Sequence, residues 1–519
     1  MTRNFRTPAT PRLSRRAFLG GTVAVPFVAA GVAGVLSAPA LAQDAAGTLR
    51  VLLAPEARLV PGQLRAGGSA NVASMIYDWL FRLEGNEQTF VHSLAESSSH
   101  SGDYKSWTIV VRKGVTFHHG TELTAKDVVF SIERHGRKEI GSPLANIFAH
   151  IESVTAVDDH TVEVALSRPD PDFLLKFLDK NAAIIAHDYD YDNLGDSNPS
   201  GTGAFKVDEY VPSQYMRLSK NPDYFVEGLP KSDRIEIRFV SDVQTQMLSL
   251  EAGQADIVRS LPFDFFERYK DREDLTIHQV KSAYLTPITM RCDQPPFDDV
   301  RVRKAMKLVV DRQKMLEQAA FGLGVVANDD YVWSGFPWHS PQETKQRDVE
   351  EAKRLLAEAG HPNGISVEIV CESNRPPVLE TVLMYQQMAK EAGIDVKVNA
   401  VTTDIYYARY FMNAPVTCES WGHRDALDLL AVSVKTGAAW NAGRYSNARV
   451  DELLDLTSAE GDLEKRRALA GELQQILSEE GPAIVPFFHD SLAVSRAAVD
   501  GFVLTENWIN DYRYAVRTA

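Results

Sequence analysis

The stretch "VRKGVTFHHGTELTAKDVVFSIER", Val111–Arg134, changes its period halfway. Its first half continues an alternation of apolar and polar residues that begins at Ser106. That alternation predicts two strands over Ser106–Gly120, turning at Lys113-Gly114. Its second half sets Val128, Val129 and Ile132 on one face of a helix. Thr124 stands at the N-cap and Asp127 at the third helical position, the spacing of a capping box. A strand pair feeding directly into a capped helix is the mark of a mixed α/β chain.

The same mixture runs outward in both directions. Gly47–Leu53 reads as a buried strand, and Asn71–Leu83 has helical spacing. Ser153–Leu166 reads as a hairpin turning at Asp158-Asp159. Arg234–Val240 is a strand, followed by a helix that stops near Gly253 and a short strand at Ala255–Val258. Asp298–Gly322 carries a helix capped by Asp298 or Asp299. Further on, helix, glycine stop and strand succeed one another around Gly360, Gly393 and Gly481. No repeat or low-complexity linker interrupts the 519 residues, which are enough for two or three domains. Long α/β regions without a linker suggest that the chain crosses between lobes more than once.

The N-terminus has a different character. Arg3, Arg6, Arg12, Arg15 and Arg16 precede an uncharged run that lasts until Asp44. A basic start, an apolar middle and Ala40-Leu41-Ala42 before a cut form the plan of an export signal. Arg15-Arg16 followed by Phe18-Leu19 resembles a twin-arginine (Tat) signal, so residues 1–42 are expected to be removed after Ala42. No cysteine lies near the cut to carry a lipid, so a free periplasmic protein is expected. The formal net charge is −15, and loss of five arginines leaves the remainder more acidic still. Such a balance argues against nucleic acid and anionic membranes as partners. Cys292, Cys371 and Cys418 lack metal-binding spacing and read as small buried hydrophobes.

Five segments together resemble one family, the periplasmic solute-binding proteins of ABC importers of the dipeptide/oligopeptide/nickel type (family 5). They are Val111–Arg134, "NPSGTGAFKV" (Asn198–Val207), "KNPDYF" (Lys220–Phe225), "QPPFDDVRVRKAM" (Gln294–Met306) and "YSNARVDELL" (Tyr445–Leu454). The resemblance implies an α/β type II periplasmic binding protein (cluster C), with two main lobes and an extra subdomain closing on a hinge. Lobe I would comprise residues 46–77, 200–285 and 486–519, lobe II residues 78–199, and lobe III residues 286–485. Hinge strands would lie near Tyr284–Ile288 and Ala483–Phe487. The resemblance also implies a monomer that encloses a small solute and docks on a permease whose partner subunits hydrolyse ATP. No cofactor and no metal-ligating residues are expected in this chain.

Site residues are sought in "ESWGHRDALDLL", Glu419–Leu430. In peptide-binding members a Trp is followed three positions later by an Asp that holds the peptide's ammonium. Here Trp421 is followed by Arg424, which reverses the charge and suits a carboxylate or phosphate. Asp425 is the amine holder if the alignment slips by one. Trp440 offers a second aromatic wall and Asn441 an amide. Tyr331 and Trp333, in an aromatic loop, and Arg291, just after the first hinge, complete the candidate set.

Three other classes compete with this reading, and one of them, a signalling or chaperone partner, has no feature in the sequence that speaks for or against it. A hydrolase or kinase is disfavoured because the chain has no GxSxG, HExxH, Walker or dinucleotide motif. A metal-chelate binder of the same fold stays open, although His118 and His119, adjacent on a strand, face opposite sides.

Overall fold

The structure is a computed structural model, and it describes residues 47–55, 58–64 and 67–518. The export signal and its cut after Ala42 lie outside the described residues. Among the described residues, no helix is long and apolar enough to cross a membrane.

Two sheets organise the molecule. The larger has the order Leu275–Leu285, Phe487–Arg496, Ile257–Val258, Thr48–Leu53, Arg234–Phe239, Tyr215–Lys220, Phe205–Val211, with Gly324–Val326 added against Phe487–Arg496. At its centre Thr48–Leu53 pairs in parallel with both Arg234–Phe239 and Ile257–Val258. The second sheet runs Ile394–Val401, Ile365–Glu372, Val416–Cys418, Ile288–Met290, Ala483–Ile484. Here Ile365–Glu372 pairs in parallel with strands on both sides. The chain crosses directly between the two sheets at Thr286-Pro287 and at Val485-Pro486, and between these it leaves the second sheet and returns to it, placing Gly324–Val326 in the larger one. A separate antiparallel sheet is formed by Ala95–His100, Ser106–Val111, Thr161–Leu166 and Ile151–Ala156.

The capping box forms as its spacing dictates. Thr124 N–H donates to Asp127 Oδ2 at 2.7 Å, at the head of the helix Ala125–Arg134. The structure departs from the local reading in three places. The helix read over Asn71–Leu83 ends at Ile76, and Phe81–Glu84 is a strand. Its backbone is drawn into non-local bonds: Gly203 N–H donates to the Ile76 carbonyl, Ile184 to Asp78 and Leu94 to Trp79. The second strand expected before Gly120 reduces to a single bridge, Thr116 with Glu122, while His118 N–H donates to the Gly201 carbonyl. The helix read over Asp298–Gly322 is two, Val300–Leu308 and Arg312–Ala319, because Asp311 caps the second through the Lys314 N–H.

Three apolar cores result. Phe173 and Phe177 join the core under the four-stranded sheet, Cys371 and Cys418 lie as free thiols in the core of the second sheet, and Trp421 with Leu427–Leu430 belongs to a third.

Candidate functional site

A cavity of about 1130 Å³ lies where parallel strands from both sheets end. Leu52, Leu53 and Ala54 close the Thr48–Leu53 strand, and Arg259 follows Ile257–Val258. Across the space, Arg375 follows Ile365–Glu372, Thr403 follows Ile394–Val401, and Ser420–Gly422 with Arg424 follow Val416–Cys418. Carboxyl ends of parallel strands are where open α/β sheets leave a crevice, because the chain there turns away to the next element.

Trp421 is fixed from three directions. Its backbone exchanges two hydrogen bonds with Leu285, at 2.9 and 3.2 Å, just before the first crossing. Its indole Nε1 donates to Glu419 Oε1 at 3.0 Å, and the Tyr406 hydroxyl donates to the other Glu419 oxygen at 2.5 Å. Burial raises the Glu419 pKa to about 7, against the lowering effect of those two donors. Trp440 stands beside Trp421, ring centroids 5.8 Å apart, and is itself 42 % exposed. Arg424 extends over the Trp421 ring, Cζ 5.4 Å from its centroid. Its Nε is buried without a hydrogen-bond partner, and no carboxylate among the described residues forms an ion pair with it.

Arg424, Trp421 and Trp440 therefore come together on the cavity wall. The other candidates serve elsewhere. Asp425 caps the helix Ala426–Ser433, accepting from the Leu427 and Asp428 N–H groups. Asn441 is buried, with its amide donating to the Val434, Lys435 and Tyr445 carbonyls. Arg291 forks onto Asp293 at 2.6 and 3.0 Å. Tyr331 is buried in the third core, and Trp333 packs edge-on to Phe336 and His423 behind the wall. His423 is occupied too: Nδ1 accepts from Ala283 N–H at 3.0 Å, and Nε2 lies 3.3 Å from Glu506. His118 and His119 point apart, to Gly203 and Ser200.

Among the lining residues that escaped the sequence reading are Arg259, Arg375 and Trp508. A cation directly after a short strand, as in "ADIVRS", is the one local signal that marked Arg259.

A clamshell of two α/β units with a crevice at their strand ends defines a solute-binding protein of the type II periplasmic architecture. Residues 89–429, well over half of the chain, match the sequence model of the bacterial extracellular solute-binding proteins, family 5 (middle region), and the chain belongs to that family. It is thus the solute-binding component of an ABC importer, and the members of this family are binding proteins for transport, not enzymes. It is 27 % identical over 481 residues to the heme-binding protein A of Haemophilus influenzae, covering 85 % of this chain and 87 % of that one. It is 26 % identical over 447 residues to the glutathione-binding protein GsiB of Escherichia coli (strain K12), covering 80 % and 84 %. The binding protein AgaA of A. tumefaciens R10, solved with agropinic acid, superposes with a TM-score of 0.80 at 23 % identity, covering 91 % of this chain and 99 % of that one.

Proposed function

We propose that this chain captures, in the periplasm, a small peptide-like or amino-acid/sugar-derived solute bearing an anionic group, and delivers it to its permease. Export would follow the Tat signal, with cleavage after Ala42, and the working form is a monomer. Lobes I to III, divided as the family resemblance implies, would close about the crossings at Thr286-Pro287 and Val485-Pro486.

The observation that carries this reading is Arg424. A guanidinium in a cavity wall, stacked on an indole and lacking a carboxylate partner, is short of hydrogen bonds that a ligand acid supplies in pairs. Trp421 and Trp440 beside it suit the apolar body of such a solute. Closure is favoured only by contacts richer in the closed form, and moving it from about 1:99 to 99:1 takes roughly 5.5 kcal/mol. A charged fork and a buried apolar face together supply that order.

The test is Arg424→Ala. Uptake and affinity should fall about tenfold or more, with the circular dichroism spectrum unchanged. An affinity equal to that of the wild type would remove Arg424 from the site.

A further inference from the structure

Arg259 is only 5 % exposed, and its guanidinium carbon lies 3.7 Å from the centroid of the Trp508 ring. Its hydrogen bonds to the Ser260 and Ser491 hydroxyls are long, each at 3.4 Å, and the Tyr284 hydroxyl also faces it. Its Nε is buried without a partner, and no carboxylate among the described residues pairs with it. Burial lowers its pKa, yet a guanidinium remains charged in a protein. A charge held this way is costly until something completes it.

Its platform is held under strain. Trp508 has φ 70°, a left-handed conformation that bulky residues rarely adopt. Flanking bonds fix it there, with the Asn507 amide donating to the Leu178 carbonyl and the Ile509 N–H to Asn507 Oδ1. Arg259 and Arg424 stand on opposite strand-end walls of one cavity. Tyr284 packs on Trp508, ring centroids 5.6 Å apart. Burial raises its pKa, while Arg259, Arg375 and Arg424 all act to lower it. Arg375 is partly spent on Glu372, 3.7 Å away. The one acidic lining residue among those described is Asp404, which is exposed. Arg259 and Arg424 thus place a positive charge on each wall, and neither forms an ion pair with a carboxylate among the described residues.

We propose that the solute carries two acidic groups, one taken by Arg424 and the second by Arg259, with its apolar or planar part between Trp421, Trp440 and Trp508. The class is a dianionic conjugate, such as a dicarboxylic peptide or amino-acid derivative, larger than a single amino acid given about 1130 Å³ of space. This rests on the assignment of Arg424 made above.

The probe is the solute released by heat from the protein isolated from its own host. Methyl esterification followed by mass spectrometry counts its acidic groups, and calorimetry measures its rebinding to wild type, Arg259→Gln, Arg259→Lys and Arg424→Gln. Two esters are expected. Arg259→Gln and Arg424→Gln should each weaken binding about tenfold or more, and Arg259→Lys, which keeps the charge but loses the fork, should fall between. A solute with one acidic group whose affinity drops in Arg424→Gln but not in Arg259→Gln overturns the dianion and leaves the anion reading standing. A solute with no acidic group overturns both.

Discussion

Lys176 joins two of the three cores, and its removal should be felt throughout the molecule. It extends from the short helix Phe173–Leu178, whose phenylalanines pack in the first core. Its Nζ reaches Asp428 at 3.0 and 3.3 Å on the helix Ala426–Ser433, which belongs to the third core, and Asp170 at 3.5 Å. Arg466 pairs with Asp172 beside them. The lysine side chain is 9 % exposed, against 6 % for Asp170 and 25 % for Asp428. Burial alone lowers the Lys176 pKa, and Asp428 and Asp170 more than offset it. At an effective dielectric of about 20, each carboxylate attracts the ammonium by about 5 kcal/mol at these distances. Desolvation returns several kcal/mol of that sum, which leaves about 3–5 kcal/mol as the cost of Lys176→Met, where two carboxylates lose their cation.

Urea unfolding followed by tryptophan fluorescence measures this directly. Adding Asp428→Asn should return part of the loss, because one stranded charge is then removed, with a coupling of about 1–3 kcal/mol in the cycle. A variant that unfolds within about 0.5 kcal/mol of the wild type would refute the reasoning, because losses that small belong to solvated surface pairs.

Glu419 gives a pH signature. Its folded pKa, about 7, exceeds its ordinary 4.5, so its contribution is complete below 4.5 and is lost as pH rises through about 7. That loss is about 3 kcal/mol. Glu419→Gln keeps an acceptor for Trp421 and should flatten the fall, so parallel slopes for the two proteins between these pH values would count against the buried carboxyl. Gly203→Ala should destabilise by about 1–3 kcal/mol, because the added carbon meets backbone that cannot give way. It would lie 2.4 Å from the Ile76 carbonyl carbon and 2.7 Å from the Met75 oxygen. A thermal midpoint equal to that of the wild type would mean that the segment moves aside freely.

The local devices were legible because they depend on neighbours in sequence. Thr124 and Asp127, three positions apart, form their capping box on the helix they delimit. The period change in Val111–Arg134 and the glycine stops announce an α/β chain for the same reason, and the five segments in their order carry the family resemblance. Arg424 and Trp421 were legible as candidates through a substitution in one short motif, Trp440 as a second aromatic wall, and the fold brings all three to one cavity. Asp425 and Asn441 were equally polar and equally close in sequence. Their side chains instead complete hydrogen bonds to nearby backbone, a use that composition does not reveal.

What tertiary structure alone decided is where free charge survives. Arg259 and Trp508 are far apart in the chain, and nothing local to either predicts that one stacks on the other. Arg291 and Arg259 look alike as letters, but Asp293 neutralises the first and no carboxylate among the described residues reaches the second. The ends of Asn71–Leu83 and Asp298–Gly322 changed for a related reason, since distant carbonyls and amides, or a cap on the next helix, claimed their backbone groups. Sequence determines which groups the chain possesses and which short-range pairs they form. The ion pairs and hydrogen bonds that cancel most of them form only when remote segments meet, and the groups left uncancelled define the site.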